Sequence, residues 1–259
     1  MGYAMLAGWL RQDPALVVHV VEPFAAFRDR ADALGAHSVA VMSDLPQEVQ
    51  ADLVVLAVKP QMVAPVLGTC APLASAKTTF LSVAAGITLA AMRKALPQAT
   101  PIIRCMPNTP AAIGEGMMVL CADVGVPQAA RQLTETLMAT SGAVAWVEDE
   151  ALMDAVTAIS GSGPAYVFHF IEALTEAGTN LGLPAEIAAL LAQQTIAGAG
   201  HMALLADASP TILREQVTSP NGTTAAALAV FMQDHALKHL VARAATAARD
   251  RGIELGQEG

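Results

Sequence analysis

Apolar positions fall into two textures along the chain. Up to about Val147, short runs of adjacent apolar residues recur between Asp, Gly and Pro, predicting strands at Leu16–Val21, Leu53–Val58, Thr79–Ala84, Ile102–Met106, Met117–Cys121 and Ala143–Val147. An unbroken apolar run, rather than strict alternation, belongs to a strand covered on both faces, as in a parallel sheet. Helical spacing intervenes at Ala25–Leu34 and Leu89–Leu96. Such alternation predicts an α/β domain with right-handed crossovers. After Val147 no strand-like run returns. Helices are predicted at about Glu148–Ile159, Ala165–Leu181, Ala185–Leu205, Thr223–Met232 and Asp234–Leu255. In the last of these, Leu237, Leu240, Val241, Ala244 and Ala248 form one stripe. The expected architecture is a mostly parallel α/β domain over residues 1–147 followed by an all-α helical domain over residues 148–259.

The opening residues sharpen the first domain. A Rossmann domain begins with a strand, a G-x-G-x-x-G turn and a helix, and an acidic residue about 20 positions on holds the adenine ribose. Here Met1-Gly2 leads directly into a helix-like segment, Tyr3–Leu10, and Glu22 ends the strand at Val17–Val21. Gly2 is therefore read as the third glycine of the fingerprint and Glu22 as its acid. On this spacing the first strand and the first two glycines are expected upstream of Met1. A chain longer by roughly ten residues should then fold and bind dinucleotide better.

Composition narrows the partners. The formal net charge of −9 argues against a broad phosphate-binding surface, so no nucleic acid is expected. Cys70, Cys105 and Cys121 are too scattered for a zinc knuckle or a disulfide framework, and a reducing cytoplasm fits them best. Although 54% of residues are hydrophobic, no run of about 18 lacks a polar break, so no membrane span is expected. The apolar start MGYAMLAGWL lacks a basic segment before it and a small-residue cleavage site after it, unlike a signal peptide. Small residues such as Ala197-Gly198-Ala199-Gly200 permit close helix pairing, within the chain or between two copies. Because about 110 residues of apolar helix make a modest core alone, a homodimer or higher homo-oligomer through the helical domain is expected.

Four segments carry candidate chemistry: Ala57-Val58-Lys59-Pro60-Gln61, Met106-Pro107-Asn108-Thr109-Pro110, Ser160-Gly161-Ser162-Gly163-Pro164-Ala165-Tyr166 and Val217-Thr218-Ser219-Pro220-Asn221-Gly222-Thr223-Thr224. The first follows a predicted parallel strand, where α/β sheets bind ligands. The last leads into an apolar helix whose free amides and dipole suit a carboxylate, or simply a cap from Ser219 or Thr223. In order and separation the four resemble the pyrroline-5-carboxylate reductase family across nearly the whole chain.

The resemblance implies reduction of 1-pyrroline-5-carboxylate to L-proline with NADPH or NADH. It implies cofactor contacts at Ala57, Val58, Lys59, Pro60 and Ala85 and, more loosely, at Asp44 and Gln216, while Asn108 either orients the cofactor carboxamide or serves as a turn asparagine before Thr109-Pro110. It implies substrate contacts at Glu150, Ser219, Gly222, Thr223 and Thr224, with the Thr224 hydroxyl near the ring nitrogen as the catalytic contact. The family usually has Gly-Gly where this chain has Asn221-Gly222; asparagine tolerates left-handed backbone, so the turn should survive. A carboxylate at Glu22 would bond a ribose 2′-hydroxyl and repel a 2′-phosphate, favouring NADH as an accepted cofactor, although Arg28 lies near.

Other signals are set aside. His235 and His239 are four apart, but no H-E-x-x-H exists because Ala236 follows His235, so no metal is expected. Gly161-Ser162-Gly163 lacks the first glycine of a nucleophile elbow, Ser160 standing in its place. Two other classes fit the sequence less well. A hydroxyacid dehydrogenase would use a catalytic lysine, yet none lies between Gly142 and Ala236. A non-catalytic dinucleotide-binding protein would have no use for the Ser219–Thr224 turn.

Overall fold

The computed structural model describes residues 1–258. Its first half alternates strands and helices: α1 (Gly2–Gln12), β1 (His19–Val21), α2 (Ala25–Asp32), β2 (His37–Val39), β3 (Leu53–Leu56), α3 (Pro60–Cys70), β4 (Thr79–Ser82), α4 (Leu89–Arg93), β5 (Ile102–Met106), β6 (Gly116–Ala122), α5 (Gln128–Ala139) and β7 (Gly142–Trp146). Helices follow: α6 (Met153–Val156), α7 (Gly163–Asn180), α8 (Ala185–Leu205), α9 (Pro210–Gln216), α10 (Thr223–Met232) and α11 (Ala236–Glu258). Each of the six expected strands has a counterpart. The predicted helix over Glu148–Ile159 instead breaks into a 3-10 turn, the short α6 and a π-turn at Thr157–Gly161.

β1 and β2 form a parallel pair, and a second sheet runs in the order β3-β4-β5-β6-β7. β3, β4 and β5 are parallel, β5 and β6 antiparallel, and β6 and β7 parallel again. The sheet is thus mostly parallel, as expected, with one antiparallel pair at β5–β6. Their connection, Pro107–Glu115, is shorter than the dozen residues a parallel return needs.

Side chains alternate across the sheet. On one face Leu81, Ile103, Cys105, Met118 and Leu120 pack with Met5, Trp9 and Met138 of α1 and α5. On the other, Leu56, Phe80, Ile102 and Val119 pack with residues of α3 and α4, such as Val63 and Met92. Covering both faces explains the continuous apolar runs. The Trp9 indole N–H donates to the Leu137 carbonyl at 2.9 Å and ties α1 to α5.

The chain divides into two compact units. One comprises residues 1–162 together with the chain from Ala248 onward; the other is Gly163–Ala247. The second unit is helical, and α7 and α8 pack together within it. Its large apolar residues are mostly exposed, Phe168 at 58%, Leu190 at 60% and Leu205 at 86% among them.

Candidate functional site

The first unit gathers its candidates at the carboxyl ends of parallel strands. Ala57–Pro60 follows β3 and is exposed; Lys59 is the N-cap of α3, and Pro60 takes the first helical position, where proline is tolerated. Ala85 follows β4, whose Ser82 is the register partner of Leu56 on β3, so both segments lie along one sheet edge. Gly2 opens α1 against this edge: a Cβ there would stand 3.0 Å from the Ala57 Cβ. No side chain caps α1 and its first turn holds no acid, which leaves amide donors open at the positive end of its dipole.

Glu22 follows β1. Its Oε1 accepts a hydrogen bond from the Phe24 amide at 2.9 Å, while the Arg28 guanidinium donates to the Glu22 and Pro23 carbonyls at 2.8 Å. Arg28 thus closes this turn through backbone oxygens. Asp44 is exposed in the 3-10 turn Met42–Asp44.

Asn108, past the end of β5, braces the edge. Its Nδ2 donates to the Ser160 carbonyl at 3.0 Å, and its Oδ1 accepts from the Met117 amide at 2.8 Å. Both polar ends of the side chain are engaged within the protein. The π-turn that it holds, Thr157–Gly161, closes with the Ser162 amide donating to the Thr157 carbonyl at 2.8 Å. Such wide turns are rare and concentrate at functional sites. A Cβ on Gly161 would meet the end of the Met106 side chain, which would have to move aside.

Beneath this edge lies a guanidinium not anticipated from the sequence. Arg104 sits in β5 on the same sheet face as Ile102, with only 4% of its side chain exposed. Its Nη1 donates to Glu150 Oε1 at 3.1 Å, and the same oxygen accepts from the Leu89 amide at 2.8 Å. Glu150 thereby anchors the first turn of α4. Arg104 Nη2 is buried without a hydrogen bond, 3.9 Å from Asp154 Oδ1. The signal was present in the sequence: a charge inside the apolar run Ile102-Ile103-Arg104-Cys105-Met106 demands a buried partner. Asp154 also lines a cavity of about 230 Å³ with Ala85, Gly86, Thr157, Arg251 and Gly252.

The second unit carries the other candidate segment. Asn221 adopts φ 59°, in the left-handed region, as expected for that turn. The Gly222 amide donates to the Ser219 carbonyl at 3.1 Å, and Gly222 is the N-cap of α10. The alternative of a cap from Ser219 or Thr223 is not adopted, since no side chain caps this helix. Thr223 and Thr224 therefore begin α10 with open amides. Gln216 ends α9 and is exposed.

Among the described residues, no group of three His, Cys, Asp or Glu side chains converges as a metal site. His235 and His239 do not share a helix, because His235 has φ 56° and α11 starts at Ala236. The three cysteines are free and buried. Burial pushes the Cys105 thiol up to about 12 and raises that of Cys70. Among the described residues, no helix is long and apolar enough to cross a membrane.

The family model for pyrroline-5-carboxylate reductase dimerisation matches residues 150–255. The chain is similar to the pyrroline-5-carboxylate reductase of Pseudomonas aeruginosa, with 42% identity covering 98% of this chain and 93% of that protein. Among solved structures, it resembles a pyrroline-5-carboxylate reductase from Coxiella burnetii with a TM-score of 0.91, at 35% identity, covering 98% of this chain and 94% of the other. It also resembles a Plasmodium falciparum pyrroline carboxylate reductase with NADP bound, with a TM-score of 0.81 and 28% identity, covering 99% and 94% of the two chains.

Proposed function

The chain belongs to the pyrroline-5-carboxylate reductase family, and from that premise we propose that it reduces 1-pyrroline-5-carboxylate to L-proline with NAD(P)H, the last step of proline formation. The observation that carries the assignment is the turn Ser219–Gly222, which leaves the start of α10 uncapped. One carboxylate is what such an array of amides holds, and the substrate carries one.

The sheet edge fits a dinucleotide. The close Gly2–Ala57 approach excludes a bulky side chain, and the open first turn of α1 suits a pyrophosphate. Ala57, Val58, Lys59, Pro60 and Ala85 would line the cofactor, and Asp44, Asn108 and Gln216 are further candidate contacts. Asn108 would act by fixing the π-turn, since its amide is already engaged. Glu22 would accept a hydrogen bond from a ribose hydroxyl, and its charge makes NADH an accepted cofactor.

When bound, the cofactor supplies a hydride to the C=N carbon. The protein's own task is to position. Amides of Thr223 and Thr224, with Ser219 and Gly222 shaping the turn, hold the substrate carboxylate. The Thr224 hydroxyl orients the ring nitrogen. Glu150 supports the substrate side through its bonds to Leu89 and Arg104. A protonated imine is already electrophilic, so orientation within about 3–3.5 Å is the main demand. The chain assembles as a homo-oligomer through its dimerisation domain, and the exposed apolar residues of α7 and α8 are the surface available for it. The cytoplasm is the proposed compartment, because three buried free thiols suit reducing conditions.

The test is oxidation of NADH and of NADPH by the purified protein with 1-pyrroline-5-carboxylate, with proline identified as the product. Turnover with at least one cofactor is expected. Absence of substrate-dependent oxidation with both would overturn the assignment.

A further inference from the structure

The cavity beside Ala85 and Gly86 is walled closely by the last turns of α11. Gly86 has φ 76°, and a Cβ on it would come within 3.6 Å of the Gly256 amide nitrogen. A Cβ on Gly252 would come within 3.4 Å of Asp154 Oδ1. Into this space Asp154 presents a carboxylate whose side chain is 27% exposed.

The cations facing it are held by other carboxylates. Arg104 reaches from the sheet, but its Nη1 is bonded to Glu150 and its Nη2 stops 3.9 Å from Asp154, beyond hydrogen-bond range. Arg251 reaches from α11 and pairs with Glu254 at 2.7 Å. Of these ion pairs the one to Asp154 is the longest, so its carboxylate is the least engaged of the three. The π-turn beginning at Thr157, three residues on, marks the same place independently.

We propose that Asp154 is an electrostatic determinant of the reaction: its carboxylate faces the nicotinamide end of the cofactor and favours the oxidised, cationic ring over the reduced, neutral one. This rests on the assignment of Ala85 to the cofactor and on its cavity receiving the nicotinamide end. Transfer of a hydride, a proton with two electrons, to the imine carbon leaves the ring with one positive charge, while the iminium nitrogen keeps its proton and ends as a neutral amine. A fixed carboxylate where that charge develops lowers the barrier. It also binds the oxidised cofactor more tightly.

Equilibrium binding separates this role from a structural one. Dissociation constants for oxidised and reduced dinucleotide are measured on the full chain and on Asp154→Asn, which keeps the size of the side chain. The variant should lose about fivefold in affinity for the oxidised form and change less than about twofold for the reduced form. Its kcat should fall, and Asp154→Glu should restore part of both effects. If Asp154→Asn fails to fold, Asp154→Ser serves for the same ratio. Equal changes in both affinities, or none, overturn the proposal. A wild-type chain that binds neither form overturns instead the cofactor assignment beneath it.

Discussion

At position 221 an asparagine holds a backbone angle, φ 59°, that most residues avoid. Asn221→Gly should therefore keep stability within about 0.5 kcal/mol, while Asn221→Val should cost about 1–2 kcal/mol and raise KM for the substrate more than for the cofactor. Steady-state kinetics with thermal melts decides this. Thr224→Ala should lower turnover with cofactor affinity unchanged; an unaltered kcat would remove Thr224 from the mechanism. Asn108→Ala strands the Met117 amide and the Ser160 carbonyl, and should destabilise by about 1–3 kcal/mol in denaturant titration. Cys105 adds a pH dependence. Its folded pKa, about 12, lies above that of an unfolded thiol, so its stabilisation is complete below about pH 9 and is lost as the pH rises toward 12. Melting temperature should fall across that window, and less steeply in Cys105→Ala.

Elements differ in how plainly the sequence announces them. β5 and α8 were legible to the residue, because a short apolar run between prolines marks a doubly covered strand and a long alanine-rich stretch opened by Pro184 marks a helix. β2 was not, since His37-Ser38-Val39 is three residues with a single apolar side chain. Nor was α3, whose interior Pro65 disguises it, or α5, where only Thr134 and Met138 are fully buried. The segment after β7 misled for another reason. Asp149 caps the Ala151 amide and Glu150 is drawn to Leu89, so tertiary bonds break what local spacing alone would make one helix. The open amides of α10 were legible in the Ser219–Thr224 turn, but the ion pair under the sheet edge was not, because Arg104 and Glu150 are 46 residues apart in sequence. The pair has a measurable signature. Arg104→Met should leave Glu150 unpaired and cost about 3 kcal/mol, and a double-mutant cycle with Glu150→Gln should recover part of it. Additive losses would show that the two residues act separately.

For the whole molecule, exposed apolar helices and a dimerisation domain tie stability to association. The melting temperature should rise with protein concentration, as mass action requires when folding and association are linked. A melting temperature constant over a hundredfold dilution, with a monomer in sedimentation, would contradict this. The change of texture near Val147 marks where the strands end, since β7 stops at Trp146, whereas the compact unit runs on to Ser162. That unit is also discontinuous, taking in the chain from Ala248 onward. During synthesis the ribosome delivers residues 1–162 well before the segment from Ala248. The part that emerges earlier therefore waits, with its Ala85 wall open, until the segment from Ala248 has also emerged, and a message cut short before the codon for Ala248 would yield no complete copy of that unit.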